Sequence, residues 1–325
     1  MKKRFCPVLF LSFWFIQQVF AQSYPYEEVT LKNVSDTILT HRSLLLPEPF
    51  DGYRAMRKLF PGRFYDLPQY QKEGPFFARL VSWECRSCDP KPYPDVNMDS
   101  AEPFPYQDGV ATRMLGLSDF SDTAGRQYKV VFFNHSRHDG DGLLTSRFTG
   151  GLLGLAKFVK TDSGWRLLLF QPALAAYGNF SQSPVPTKVR LGEGQYGFLV
   201  DHVNGGPGGP FWDDYFLLAE TGGNYRQVLV SPGVGTTASL ENLSEWKSTF
   251  RVLSGKQPFN NFEITIKGVY YANADSEGLP ELKSWFKSGE HGQFTLIRMY
   301  EYKGKKGYVL KKPAFVRVAK KRKNT

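Results

Sequence analysis

Three apolar runs decide the fold of this chain: Tyr128-Lys-Val-Val-Phe-Phe133, Gly151-Leu-Leu-Gly-Leu-Ala-Lys-Phe-Val-Lys160 and Trp165-Arg-Leu-Leu-Leu-Phe170. Each run is short and rich in β-branched, leucine or aromatic residues, and the turn Thr161-Asp-Ser-Gly164 separates the last two. Runs of this length, bounded by glycine, aspartate and serine, are typical of neighbouring β-strands. The stretch from Tyr128 to Gln171 therefore predicts a strand ladder.

The same local design recurs later in the chain: a strand, a glycine-containing turn, and an aromatic residue that opens the return strand. It occurs at Trp165, Tyr196, Tyr225 and Tyr308. An aromatic ring at this position covers its cross-strand neighbour. The spacing between the copies is irregular, whereas a repeat architecture keeps a steady period. We therefore predict a mainly β protein, an antiparallel β-sandwich or open barrel, with a small mixed α/β N-terminal part.

Composition and element pattern divide the chain into five parts. They are a signal peptide (1–21), a mixed N-terminal region with a long proline-rich loop (22–108), an antiparallel β domain (109–235), a second β region packed on the first (236–318) and a basic disordered tail (319–325). In the N-terminal region, Asp51 to Phe60 predicts a short capped helix. The proline-rich loop, Cys85 to Gln107, is of the length that is either functional or mobile.

The N-terminus has the pattern of a secretory signal peptide. A basic head, Met1-Lys-Lys-Arg4, precedes an apolar block from Val8 to Phe20 that ends in Ala21. The block is shorter than the roughly 20 residues of a membrane-spanning helix, and no later segment is apolar for long enough. We predict cleavage after Ala21, a secreted or periplasmic protein of bacterial envelope type, and no transmembrane segment in the mature chain.

The chain is basic, and part of the surplus lies at its C-terminal end. Loss of Lys2, Lys3 and Arg4 with the signal peptide lowers the formal net charge from +10 to +7. The final run comprises Lys320, Lys321, Arg322 and Lys323. Such a run is usually a solvated chain end, and the alternative is weak contact with an anionic surface. No nucleic-acid-binding module is recognisable, so we expect no nucleic-acid partner.

Cys85 and Cys88 are the only cysteines that follow the signal peptide. In an exported protein such a pair normally forms a disulfide. The following Asp89-Pro-Lys-Pro92 makes a helix improbable, and a thioredoxin-like redox pair needs a helix there. We therefore predict a structural disulfide that fixes the entry to the proline-rich loop.

A second interpretation joins the two cysteines to the pair His135 and His138. Two cysteines and two histidines are the ligand types of a tetrahedral zinc site. Either aspartate of the following turn, Asp139 or Asp141, could replace one ligand. The 46-residue gap between the pairs is far from zinc-finger spacing, so this remains the alternative.

A ligand-binding surface is predicted around the glycine- and proline-rich loop 204–210. The loop is followed by Phe211-Trp-Asp-Asp-Tyr215 and preceded by an Asp-His pair. Exposed aromatic rings beside carboxylates are the usual lining of a sugar-binding groove, because the rings stack on the C–H faces of pyranoses. The candidate ligand-binding residues are Asp201, His202, Trp212, Asp213, Asp214 and Tyr215.

The sequence contains no complete catalytic set. Adjacent residues on a strand point to opposite faces, so Asp213 and Asp214 form a poor acid–base pair. The leading prediction is a non-catalytic binding or interaction module of the cell envelope, for a glycan or an envelope protein, without a cofactor. Its loop face would carry the segments 134–142 and 203–215. The alternatives are a metal-dependent hydrolase with the Cys/His site and a purely structural envelope component.

Overall fold

The computed structural model describes residues 29–67, 78–97, 102–138, 148–205, 211–236, 244–272 and 279–320. Strands account for 60% of the structure and helices for 9%, which confirms the predicted mainly β class. Two large antiparallel sheets form the molecule, and the second curls into a half-barrel. The signal-peptide residues 1–21 and the basic residues 321–325 lie outside the described part.

The first sheet and a short ribbon come from the N-terminal half. Their strands are β1 (Leu45–Leu46), β2 (Arg63–Asp66), β3 (Arg79–Trp83), β4 (Lys91–Tyr93), β5 (Glu102–Phe104), β6 (Val110–Ser121), β7 (Gln127–Arg137), β8 (Gly151–Thr161) and β9 (Gly164–Tyr177). The first sheet has the strand order β1-β9-β8-β7-β6-β3-β2, and β4 pairs only with β5. The predicted ladder is therefore β7, β8 and β9, joined by antiparallel pairing.

The second sheet is an antiparallel meander of eight strands in sequence order. They are β10 (Thr187–Gly192), β11 (Gln195–Gly205), β12 (Phe211–Thr221), β13 (Asn224–Thr236), β14 (Glu245–Val252), β15 (Phe262–Tyr271), β16 (His291–Tyr302) and β17 (Tyr308–Lys320). The break between the two sheets falls between Tyr177 and Thr187, inside the region 109–235. Residues 319 and 320, the first two of the predicted basic tail, form the end of β17.

Helical structure is sparse, and none of the helices in the described ranges is long and apolar enough to cross a membrane. The predicted helix is present as α1 (Gly52–Leu59), with the Asp51 carboxylate accepting the Tyr53 and Arg54 N–H groups at 2.9 and 3.2 Å. Short 3-10 turns cover Asp36–Leu39, Pro280–Ser284 and Gly304–Lys306.

Both segments predicted as loops of a binding face are largely strand. β7 continues through Arg137, so residues 134–137 are paired, and 139–142 lie outside the described residues. β11 runs to Gly205 and β12 begins at Phe211, so only 206–210, also outside the described residues, separates them. The polar sequence 134–136 forms a strand because all three side chains are buried, and those of Asn134 and His135 are hydrogen-bonded to partners far away in sequence.

Strand alternation divides the described interior into three large cores, and a fourth, small cluster lies around Leu80 of β3. On β7, Val131 and Phe133 face α1, whereas Val130 and Phe132 face the second sheet. The concave face of the half-barrel forms its own core from residues such as Ile264. The molecule is therefore layered, with the helix, the first sheet, a shared core, the second sheet and a concave core in succession.

The shared core joins the two sheets through aromatic contacts. Phe132 of β7 meets Phe198 of β11 edge to face at 4.8 Å between centroids, and Phe198 lies 5.5 Å from Tyr225. Tyr177 and Phe216 form a second contact at 5.1 Å. Among the described residues, the second-sheet members of this core come from β11–β13. The first sheet therefore covers the convex face of only that part of the half-barrel.

Phe198→Ala tests the shared core. Phe198 is fully buried, so we expect the free energy of unfolding to fall by about 3–5 kcal/mol. The matched control is Phe148→Ala, because Phe148 is 64% exposed, and its effect should stay within about 0.5 kcal/mol. Urea unfolding followed by tryptophan fluorescence measures both, and equal losses would contradict a shared core centred on Phe198.

Candidate functional site

His135, a predicted metal ligand, lies at 0% exposure inside the core of the first sheet. Its Nδ1 is 2.8 Å from Thr112 Oγ1, and its Nε2 is 2.9 Å from the Pro172 carbonyl oxygen. Trp83 Nε1 lies 2.8 Å from the same threonine oxygen. A hydrogen-bond chain thus crosses the first sheet from β3 to β9.

The donor and acceptor properties of the groups determine the direction of this hydrogen-bond chain. The indole N–H only donates and the Pro172 carbonyl only accepts. Thr112 therefore accepts from Trp83 and donates to His135 Nδ1, and Nε2–H donates to Pro172. Burial lowers the pKa of His135 to about 3, so the ring is neutral at neutral pH and both of its nitrogens are occupied within the protein.

Cys85 and Cys88 form the predicted disulfide, with Cα atoms 5.4 Å apart. His138 lies near Ser82, with Nδ1 3.3 Å from Oγ. Within the described residues, no group of three or more His, Cys, Asp or Glu side chains is arranged to hold a metal ion. The structure thus gives Cys85, Cys88 and His135 internal partners, and Asp139 and Asp141 lie outside the described residues.

The predicted binding residues at 201–215 lie on β11 and β12 and are divided between two faces. Asp201 pairs with Tyr215, and His202 pairs with Asp214. Alternation places Asp201, Asp213 and Tyr215 on the concave face, with Leu217 of the concave core. His202 and Asp214 share the other face with Phe216. The backbone of Trp212 pairs with Asn204 and Gly235, and its side chain lies outside the described part.

Asp213 supports a β-bulge. The register between β12 and β13 shifts between Trp212 and Asp214, which leaves Gly233 and Val234 as extra residues opposite Asp213. The Asp213 carboxyl accepts the Val234 N–H. A Cβ on Gly233 would lie 2.7 Å from Asp213 Oδ1, so this close approach requires glycine. Ser248 Oγ completes the bulge by donating to the carbonyls of Pro232 or Gly233, at 2.8 and 2.6 Å.

The same carboxyl forms an acid pair with Asp201. Burial, followed by the hydrogen bond to Asp201, raises the pKa of Asp213 to about 8. Asp213 is therefore protonated at neutral pH, which lets two carboxyl groups share one hydrogen bond. Burial also raises the pKa of Asp214, while the positive charge of Arg298 opposes that shift.

His202 connects the sheets rather than facing solvent. Its Nδ1 accepts the Gly178 N–H at 2.8 Å, and its ring lies 5.7 Å from Phe216. Burial lowers the pKa of His202 to about 4. The structure thus brings Asp201 and Asp213 together and turns His202 away from them, into the junction with the first sheet.

A cleft of about 520 Å³ opens beside the disulfide. Four parts of the chain form it: the 3-10 turn at 36–40, the segment 88–94 with β4, Phe104 of β5, and residues 172–174 of β9. The lining is mostly apolar, with charged groups at the rim; its residues are Asp36, Thr37, Leu39, Thr40, Cys88, Asp89, Lys91, Pro92, Tyr93, Pro94, Phe104, Pro172, Ala173 and Leu174. The volume lies within the roughly 300–1,000 Å³ that is usual for ligand sites.

A bulge in β9 makes one wall of this cleft. Leu153 pairs with Ala175 and Leu155 with Gln171, so three residues of β9 oppose Gly154 alone. A Cβ on Gly154 would lie 2.1 Å from the Pro172 oxygen. Because residue 154 is a glycine, the bulge can lie close against β8. In this position the Pro172 carbonyl accepts the hydrogen bond from His135 of β7. The bulge also places Ala173 and Leu174 in the lining of the cleft.

Sequence reasoning identified the disulfide and the loop beside it but missed the opposite walls. Leu39 and Leu174 lie more than 40 positions from that loop, and tertiary pairing brings them to it. One local signal was present: Pro172 inside a strand pattern marks an edge or a bulge.

Comparison with known proteins gives no match: no family model, no curated protein and no solved structure is significantly similar to the chain.

Thr112→Val tests the hydrogen-bond chain. The change keeps the side-chain shape but leaves the Trp83 N–H and His135 Nδ1 unpaired in the core, at about 1–3 kcal/mol for each group. We expect the free energy of unfolding to fall by about 2–4 kcal/mol. Thr249→Val, on an exposed strand position, is the control. A Thr112→Val protein as stable as the control in urea would rule out this role of Thr112.

Asp213→Asn tests the acid pair through pH dependence. The folded pKa of Asp213 lies above its ordinary value of 3.8, so the folded state holds the extra proton between the two values. Its contribution to stability is complete below pH 3.8 and decreases by at most about 1.4 kcal/mol per pH unit as the pH rises towards about 8. Asparagine imitates the protonated acid and removes this loss.

The measurement is urea unfolding at several pH values between about 5 and 8. The stability of Asp213→Asn relative to wild type should increase steadily with pH. The control is Asp162→Asn, at an exposed turn, which should run parallel to wild type. Parallel curves for both variants would show that Asp213 is ionised in the folded protein.

Proposed function

We propose that the chain is an exported protein, secreted or periplasmic, that acts as a non-catalytic binding module of the cell envelope. The signal-type N-terminus supports export. The Cys85–Cys88 disulfide is consistent with it, because disulfides persist in oxidising compartments. The observation that carries the binding function is the cleft beside that disulfide.

The walls of the cleft favour a protein ligand over a glycan. Leu39, Tyr93, Phe104 and Leu174 present apolar surface, and the charged groups Asp36, Asp89 and Lys91 lie in the same lining. Sugar hydroxyls buried against apolar walls lose hydrogen bonds to water, which costs free energy unless partners replace them. An apolar side chain on an extended peptide gains from the same burial. We therefore assign the cleft to a peptide segment of an envelope partner.

Backbone contacts hold the cleft open before any ligand arrives. The Ala176 N–H donates to the Pro94 carbonyl at 2.9 Å, and Val96 N–H donates to Ala176 O at 3.2 Å. The Arg86 N–H donates to Asn33 Oδ1 at 3.1 Å, which links the disulfide loop to the chain before the 3-10 turn. A preformed site loses less conformational entropy on binding than one that must be ordered.

Leu174→Glu tests this function. A carboxylate at this half-buried position puts a charge against an apolar ligand, so we expect affinity to fall by at least about tenfold. The control is Leu168→Glu, on the same strand but 44% exposed, which should bind as wild type. The probes are labelled extended peptides with single leucine or aromatic side chains, together with cell-wall oligosaccharides, measured by fluorescence polarisation.

Trp212→Ala tests the other candidate surface, at 201–215, which the sequence suggested. Loss of oligosaccharide binding in this variant, with Leu174→Glu unaffected, would move the site to 201–215 and change the ligand class to a glycan. Equal affinity of Leu174→Glu and Leu168→Glu for a peptide that binds wild type would show that the cleft is not the peptide-binding site. Circular dichroism of each variant confirms that the fold is intact.

A further inference from the structure

A row of cations crosses the half of the second sheet that the first sheet leaves uncovered. Lys247 of β14 pairs with Lys267 of β15, Lys267 with Thr295 of β16, and Thr295 with Arg317 of β17. The neighbours of Lys267 in sequence, Ile266 among them, face the concave core. The row therefore lies on the convex face, and its three cations are exposed.

The charges of the row lower the stability of the folded protein. Like charges directly opposite one another on adjacent strands are destabilising, as at Lys247 and Lys267. Other acids of this face have cationic partners: Glu263 binds Arg251 at 3.0 Å, and Glu301 binds Lys303 at 2.9 Å. In the described ranges, no ion pair is formed by the three cations of the row, and the nearest acid along β14 is Glu245, beside Val269 in the next row.

A hollow of about 530 Å³ lies along the row, between Lys267 and Arg317. The small side chain of Ala319, on the same face as Arg317, leaves part of this space. The polar groups of Thr295 and Gln293 line it, and its described lining contains no carboxylate. An ammonium, a guanidinium, a hydroxyl and an amide around one hollow form a donor set for an anion, and arginine with lysine suits phosphate oxygens.

Apolar surface accompanies the charge. Phe315 is 56% exposed and lies two residues before Arg317 on β17, hence on the same face. β17 is the edge strand of the sheet. In the sequence, Lys321, Arg322 and Lys323 follow it, outside the described residues. Cations beside an exposed aromatic ring are the pattern of a surface that meets anionic headgroups and places the ring at the acyl boundary.

We propose that the convex face of β14–β17 binds the phosphate-bearing headgroups of an anionic phospholipid membrane, with Lys267 and Arg317 holding a headgroup phosphate in the hollow. This function is independent of the peptide cleft, which is built from other strands. The exposed phenylalanine favours a lipid surface over a soluble polyanion, because a soluble polyanion gives that ring nothing to enter.

The test is co-sedimentation of the full mature chain with vesicles of phosphatidylcholine alone or mixed with phosphatidylglycerol. Wild type should bind the mixed vesicles, bind phosphatidylcholine far less, and release at high salt. Each cation near an anionic surface is worth about a fivefold change in partitioning. The double variant Lys267→Gln with Arg317→Gln should therefore bind about 25-fold more weakly.

The matched control removes two exposed cations elsewhere, Lys32→Gln with Lys58→Gln, so that net charge is equal in both double variants. Equal weakening in both would overturn the proposal and leave only non-specific attraction of a basic protein. Phe315→Ser should weaken binding to the mixed vesicles at low salt, and it should lower the salt concentration at which the protein is released.

Two competitors distinguish the source of the phosphate. Millimolar inorganic phosphate at constant ionic strength should leave vesicle binding largely intact, and full displacement would assign the hollow to a soluble phosphate. Immobilised anionic polysaccharide that retains wild type but not the Lys267/Arg317 variant, without any vesicle binding, would overturn the lipid assignment in favour of a glycan. Thermal unfolding of each variant confirms that the loss is not one of fold.

Discussion

The contact between Phe132 of the first sheet and Phe198 of the second determines which surfaces this molecule exposes. A half-barrel has a concave and a convex side. Because the described second-sheet residues of the shared core come from β11–β13, the first sheet covers that half of the convex side. The convex face of β14–β17 stays open to solvent, and the opposite face of the first sheet is left to pack against α1.

Several elements of this structure could be predicted from local sequence. The helix with its Asp51 cap, the turns before Trp165, Tyr196, Tyr225 and Tyr308, and the disulfide need only neighbours, and the structure shows all of them. The alternation of Glu263 and Lys267 with buried isoleucines on β15 is a local pattern of the same kind. Local patterns with one period leave little freedom.

The failures share one cause, which is distance along the chain. His135 and its neighbours read as a polar loop because their partners, Thr112 and Pro172, lie more than 20 residues away. The bulge that Asp213 supports on β13 cannot be predicted from the sequence, because its two strands meet only through tertiary pairing. The cleft and the cation row likewise need a register between strands, and register follows from loop geometry and burial rather than from composition.

The two proposed surfaces, the cleft and the cation row, differ in what they contribute to the stability of the fold. The cleft derives its shape from buried polar contacts, since the bulge of β9 rests on Gly154 and on the proton of His135 Nε2. The cation row contributes no such contact, and its paired lysines cost stability. An anionic partner would neutralise this repulsion between the cations of the row. A membrane-bound convex face would leave the cleft, on other strands, available to a second partner.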